Sequence, residues 1–173
     1  MQNRESYSYS FKFLGVKFDV DIDESFSEAE RRRLTAEYTN RKEVHYHAKH
    51  ELFFVPDCTL TVYTNSNPTE YNGTLVFIPA FCKHYSSRAD DYRILFSFEQ
   101  TGAKKTAFAS FIEQTFSACA PFSFSSFSEV SVYVEELKRL LETPSDEQGE
   151  LVAAIFKLMI YRLYTSSKKS EMT

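Results

Sequence analysis

Three histidines and one glutamate stand at spacings that could form a metal or polar-ligand site. His45, His47 and Glu51 fall within residues 44–55, a run typical of a β-strand. Alternate strand residues point to the same face, so these three side chains are predicted to share one face. His84 follows Pro79 by five residues in a second apolar segment. Neutral imidazoles and a carboxylate suit iron, manganese, nickel or zinc, so these four residues are the predicted ligands of any bound metal.

The alternative is that the same four side chains line a pocket for a small polar ligand. Helical segments follow the strands, and a metal-dependent enzyme barrel does not require them. We therefore favour ligand binding without a metal and predict no resident cofactor. Phe53 and Tyr63 are predicted to line the pocket, although aromatic strand residues are more often part of a core.

The elements that must position this site form two groups along the chain. Alternating segments at residues 7–13 and 16–20, and short apolar segments between residues 43 and 99, predict antiparallel strands. Residues 23–35 are charged and could hold a helical turn capped by Ser27. Helical periodicity then predicts three helices near residues 106–116, 128–142 and 147–165, with a polar tail at 166–173. The predicted fold class is mainly β, a sandwich or barrel of strands followed by an α-helical hairpin.

The last predicted helix is apolar over more than one face, which is more than packing on one sheet requires. This excess predicts a homodimer formed through the C-terminal helices. The residues predicted at the interface are Val130, Val134, Leu137, Leu141, Ile155, Leu158, Met159 and Arg162.

Composition excludes several other classes of protein. The 173 residues carry a net charge of −4, which gives no basic surface for nucleic acid. Three cysteines without CxxC spacing indicate neither a disulfide framework nor a thiolate zinc site. The polar N-terminus is unlike a secretory signal, and no apolar run reaches the roughly 18 residues of a membrane span. We therefore expect a cytoplasmic protein that does not enter a membrane.

Four sequence features together resemble a known family. They are HYHAKHELFFV at residues 45–55, GTLVFIP at 73–79 followed by His84, YRILFSF at 92–98, and two terminal amphipathic helices. Over residues 9–164 the chain resembles the N-terminal effector-binding and dimerisation domain of AraC-type bacterial transcription regulators.

The resemblance implies a cupin-like jelly-roll barrel at residues 1–100 and a helical dimerisation segment with the start of a linker at 101–173. It also implies an N-terminal arm, with Tyr7, Tyr9 and Phe11, that closes over a small polar effector such as a sugar. The alternative is that this segment is simply the first strand of the sheet. In that family DNA is bound by a separate helix-turn-helix unit. This chain lacks such a unit, so we expect it to be a truncated form of a regulator or a stand-alone sensor.

Two positions depart from the cupin pattern. Cys58 stands six residues after Glu51, where a glycine is usual, and Phe81 replaces the glycine after the proline. Both departures weaken an enzymatic interpretation, so we predict that the chain is not an enzyme. The alternative is a metal-dependent cupin enzyme or a stand-alone metal-binding cupin.

Overall fold

The computed structural model describes residues 6–23, 44, 46–64, 67–86, 92–124, 127–143 and 145–171. Within these residues the chain forms strands followed by helices. The strands are β1 (Ser6–Phe13), β2 (Val16–Asp23), β3 (His50–Thr64), β4 (Asn67–Ile78), β5 (Lys83–Ser86), β6 (Tyr92–Gln100) and β7 (Phe122–Phe124). The helices are α1 (Ala107–Phe116), α2 (Phe127–Glu142) and α3 (Gln148–Glu171).

All described strand pairs are antiparallel and form one sheet in the order β1-β2-β6-β3-β4-β7, with β5 also paired to β3. The prediction of a mainly β fold followed by helices is confirmed. Among the described strands, however, the sheet stays open and does not close into the predicted barrel.

A bend in the long β3–β4 pair folds the sheet over on itself. The register shifts between Val55 and Thr59, opposite Gly73, whose φ of 61° lies in the left-handed region. Before the shift β3 pairs with β6, and after it the strand pairs with β5. The bend therefore places β5 over the side of the sheet that the helices do not cover.

The first face of the sheet packs on the helices and forms the helix-side core. Phe96 contacts Phe116 at 5.2 Å and Phe156 at 6.0 Å between ring centroids, and Phe18 contacts Phe156 at 5.5 Å. The principal members of this core are Val16, Phe18, Val20, Leu52, Phe54, Leu75, Phe77, Ile94 and Phe96 from the strands, and Phe108, Ile112, Phe116, Val130, Val134, Leu137, Val152, Phe156, Met159, Ile160 and Leu163 from the helices.

The other face forms a smaller apolar group, the interior cluster, which consists of Phe53, Leu60, Val62, Val76 and Ile78. Leu52 and Phe54 face the helices, whereas Leu60 and Val62 face the interior. Leu52 and Leu60 are both even-numbered, so unbroken alternation would place them on one face. The exchange of faces therefore occurs in the irregular segment between Val55 and Thr59, where the alternation is interrupted.

Two predicted boundaries differ from the structure, and one strand was not predicted. The strand predicted from residue 44 begins at His50. The last helix continues through the predicted polar tail to Glu171, where the Ser167 hydroxyl donates a hydrogen bond to the Tyr164 carbonyl at 2.8 Å. The strand β7 was not predicted, and the helical turn at Ser27 lies outside the described residues. Among the described helices, none combines the length and apolarity needed to cross a membrane.

The bend gives a stability prediction. At Gly73 an added Cβ would meet no atom within 4 Å, so the cost of Gly73→Ala comes from its positive φ alone. We expect a loss of about 1 kcal/mol in the free energy of unfolding, measured by urea denaturation. Gly102→Ala is the matched control, because the φ of Gly102 is not positive, and it should not destabilise the chain. Equal losses in both variants would contradict the prediction.

Candidate ligand and metal site

Three of the four residues predicted as ligands lie together on the interior side of the folded sheet. Glu51 alternates with Leu52 along β3 and therefore points away from the helices. His84 on β5 pairs directly with Val62, a member of the interior cluster, so it points to the same side. Because the bend lays β5 over the first half of β3, Glu51 and His84 face each other. His47 joins them from the segment just before β3, and we call these three residues the polar cluster.

The polar cluster is compact and mostly hidden from solvent. Nε2 of His84 lies 3.0 Å from Oε2 of Glu51, and Nε2 of His47 lies 3.7 Å from the same oxygen. The ligand atoms of the three residues all lie within 4.8 Å of one another. The side chains of Glu51 and His84 are each 1% exposed, whereas that of His47 is 21% exposed. His47 is therefore the member of the cluster that is most open to solvent.

The orientation of the His84 ring is fixed by a backbone group. Nδ1 of His84 lies 3.0 Å from the carbonyl oxygen of Cys82. A carbonyl oxygen can only accept, so Nδ1 carries the donated proton. Nε2 then faces Glu51 and either donates a proton to the carboxylate or offers its lone pair to a cation. The same device orients histidine ligands in metal sites.

The charge state of Glu51 depends on opposing effects. Burial raises the pKa of this carboxyl, but the hydrogen bond from His84 and the charges of His84, Arg93 and His47 outweigh it, so the pKa is lowered overall. The carboxylate is therefore negative at neutral pH. Its Oε1 is fully buried and has no hydrogen-bond partner among the described residues. A ligand hydroxyl or a cation would satisfy that oxygen.

The other residues predicted in the pocket divide between the two sides of the sheet. Phe53 is buried beside the cluster, with its ring edge-on to His84 at 6.4 Å. Tyr63 is not brought there, since its ring packs on Tyr85 at 6.0 Å. Tyr9 is not brought there either, because its ring packs on Gly149 of α3 at the helix-side core. His45 lies outside the described residues.

Of the residues predicted at a dimer interface, some are buried within the single chain and others are exposed. Val130, Val134, Leu137 and Met159 are buried in the helix-side core of a single chain, so their packing is satisfied without a partner. Ile155 is half-buried, whereas Leu158 and Arg162 are exposed. The side chain of Leu141 lies outside the described part of the chain.

The structure gives two charged residues, Arg93 and Lys49, contacts that the sequence did not predict. Arg93 pairs with Phe53 in the sheet, so it faces the interior, and its charge lowers the pKa of Glu51. The signal was present in YRILFSF, where Arg93 alternates with the apolar residues Ile94 and Phe96. Lys49 stands two residues before Glu51 in the sequence, and its Nζ lies 2.6 Å from Oδ2 of Asp21.

Comparisons with known proteins bear only on the fold. Neither the protein-family models nor the curated proteins contain a match. Among solved structures, the AraC-like transcriptional activator CuxR is 8% identical with a TM-score of 0.42, covering 90% of this chain and 54% of that protein, so this chain spans about half its length.

Two smaller solved proteins also match. A cupin-2 domain protein from Shewanella frigidimarina is 16% identical with a TM-score of 0.25, covering 58% of this chain and 84% of that one. The EutQ protein of Clostridium difficile is 15% identical with a TM-score of 0.25, covering 57% and 70% respectively. These scores carry no information on function, which rests on the chemistry of the site's own residues.

The buried Glu51–His84 pair gives a second stability prediction. His84→Leu removes the neighbour of a buried carboxylate and should cost about 3 kcal/mol of unfolding free energy. Glu51→Leu/His84→Leu removes both polar groups and should recover most of that loss. Urea denaturation of the wild type, both single variants and the double variant measures the coupling. Phe53→Leu is the control for altered packing beside an intact pair. A double variant less stable than either single variant would contradict the prediction.

Proposed function

We propose that this chain is the small-molecule-sensing and dimerisation domain of an AraC-type transcription regulator that acts in the cytoplasm. The observation that carries the proposal is an ionised carboxylate and an imidazole buried together inside a folded sheet, with a second, partly exposed imidazole beside them. DNA binding in this proposal belongs to a separate helix-turn-helix unit. The sequence resemblance and the order of strands before helices support the assignment to that class.

A buried polar group without a full set of partners reduces stability, so its presence requires a reason other than folding. Oε1 of Glu51 is such a group within the described residues. The ligand that best fits it is a small polar molecule such as a sugar, because a hydroxyl can donate to the carboxylate. His47, at the exposed side of the cluster, contributes a second polar contact.

The route from the ligand to the helices runs through β3. Glu51 and Phe53 face the interior of the folded sheet, where the ligand would bind. The residues that alternate with them, Leu52 and Phe54, pack in the helix-side core. A ligand that shifts β3 changes the packing of those two residues against the helices. Sensing then requires that the ligand bind one helix arrangement more tightly than another.

The exposed face of α3 supports dimerisation. Leu151, Leu158 and Tyr161 are exposed large apolar residues spaced by seven and three positions, so they lie along one stripe of the helix. A second copy of the chain would cover this stripe. The buried residues of α2 support the hairpin rather than the contact itself.

A second candidate function, metal binding, is favoured by the ring orientation of His84. His47, Glu51 and His84 offer two imidazole nitrogens and a carboxylate oxygen, a donor set that suits zinc, iron or manganese. A bound metal would supply Lewis-acid chemistry or a further attachment point for a ligand. His45, predicted as a fourth ligand, lies outside the described residues.

Melting temperature with added ligands separates the two candidates. We expect monosaccharides or small acids to raise it by about 5 to 10 °C at a hundredfold excess over Kd, because only the folded chain binds. The rise should disappear in His47→Ala and persist in Lys104→Ala, a change at an exposed residue outside the cluster. A rise with Zn²⁺ or Mn²⁺ alone, lost in His47→Ala, would instead support metal binding. No rise with any of these additives would contradict both candidates.

The dimer is tested independently. Leu158, which is 54% exposed, should be covered in the dimer, so Leu158→Glu would place a charge in an apolar contact. We expect light scattering after gel filtration to give a dimer mass for the wild type and a monomer mass for this variant. Leu14→Glu, at an exposed leucine between β1 and β2, should remain dimeric. A monomeric wild type, or a dimeric Leu158→Glu, would contradict this interface.

A further inference from the structure

Two exposed aromatic side chains stand beside the polar cluster. Tyr46 is 58% exposed and Phe81 is 66% exposed, and their ring centroids are 6.2 Å apart at an interplanar angle of 45°. We call this pair the aromatic rim. This apolar surface is exposed to solvent and is not buried in the core of the chain, which is typical of surfaces that bind another molecule.

The rim is attached directly to the most exposed member of the cluster. Tyr46 precedes His47, and the backbone N–H of Phe81 donates a hydrogen bond to the His47 carbonyl at 2.7 Å. The His47 side chain lies between solvent and the buried Glu51–His84 pair. The rim is therefore linked through the backbone to the member of the cluster that is most open to solvent.

The backbone of Phe81 is held in an unfavourable conformation. Its φ of 64° lies in the left-handed region, which bulky residues rarely adopt and which glycine adopts without steric cost. The turn that holds it is closed by the Cys82 N–H and the Pro79 carbonyl at 3.2 Å. Because the ring is also exposed, neither backbone preference nor core packing accounts for a phenylalanine at this position. Strain of this kind is concentrated at binding sites.

We propose that the aromatic rim holds the flat apolar face of a ring-shaped ligand whose hydroxyl group reaches Glu51. This inference rests on the proposed function and narrows its ligand class to a hydroxylated ring. Aromatic side chains favour such faces, and Phe81, without a polar atom, can contribute only through its ring surface. Two kinds of molecule share this chemistry, a pyranose sugar with an apolar C–H face and a phenolic alcohol.

The test is an NMR titration of the ¹⁵N-labelled chain with three probes. Methyl β-glucopyranoside and 4-hydroxybenzyl alcohol present a ring face with hydroxyls, whereas sorbitol presents hydroxyls without a ring. We expect at least one ring probe to shift the amide signals of His47 and Phe81, and sorbitol to shift neither. Which ring probe binds distinguishes the two sources of ligand.

Phe81→Gly is the decisive variant because it removes the ring and the backbone strain together. We expect its Kd for the ring probe to rise about tenfold, the loss of roughly one aromatic contact. Its melting temperature should be no lower than that of the wild type, so weaker binding cannot be attributed to misfolding. Leu14→Gly is the matched control, because Leu14 is also exposed and apolar with a positive φ of 47°, and its Kd should not change.

Glu51→Gln separates this inference from the proposed function. Weaker binding in both Phe81→Gly and Glu51→Gln supports both. Weaker binding in Glu51→Gln alone keeps the interior site and overturns the rim. Weaker binding in Phe81→Gly alone keeps the rim as a ring-binding surface and overturns the interior site. Equal binding of sorbitol and the ring probes, or no binding of any probe, overturns the rim as a ring-binding surface.

Discussion

The strict alternation of side chains along the first half of β3 is the constraint on which the rest of the structure depends. Leu52 and Phe54 enter the helix-side core, while Glu51 and Phe53 enter the interior. A slip of one residue would turn the carboxylate into a phenylalanine-rich core. The packing of the helices and the geometry of the polar cluster are therefore fixed by one register, and neither can change without the other.

His50 links these two sides at the point where β3 begins. Its ring stacks on Phe98 at 5.7 Å within the helix-side core, and its Nδ1 accepts a hydrogen bond from the Ala80 N–H at 3.2 Å. Burial lowers the pKa of this imidazole, so the ring is neutral, as an accepting Nδ1 requires. The turn that carries the aromatic rim is thus held from the helix side of the sheet.

Local patterns predicted which residues share a face, but not what covers that face. Alternation along a strand predicts that Glu51 and its neighbour His50 point to opposite faces, and in the structure they lie on opposite sides of the sheet. Parity could not show that Tyr9, paired with Val20, would lie on the side that the helices cover. Nor could it show that Arg93 and His84 approach Glu51, because that meeting depends on a bend and on pairing between distant segments. Such pairing is decided by tertiary packing rather than by local propensity.

The shared helix-side core has a consequence for how the chain unfolds. Phe96 of the sheet contacts both Phe116 of α1 and Phe156 of α3, so strands and helices share one continuous apolar core. The strand β7 lies between α1 and α2 in the chain and pairs with β4 of the sheet. Strands and helices are therefore divided in chain order but form one cooperative unit. Loss of circular dichroism from strands and from helices would coincide in a single transition, since removing either would leave a large apolar surface in water.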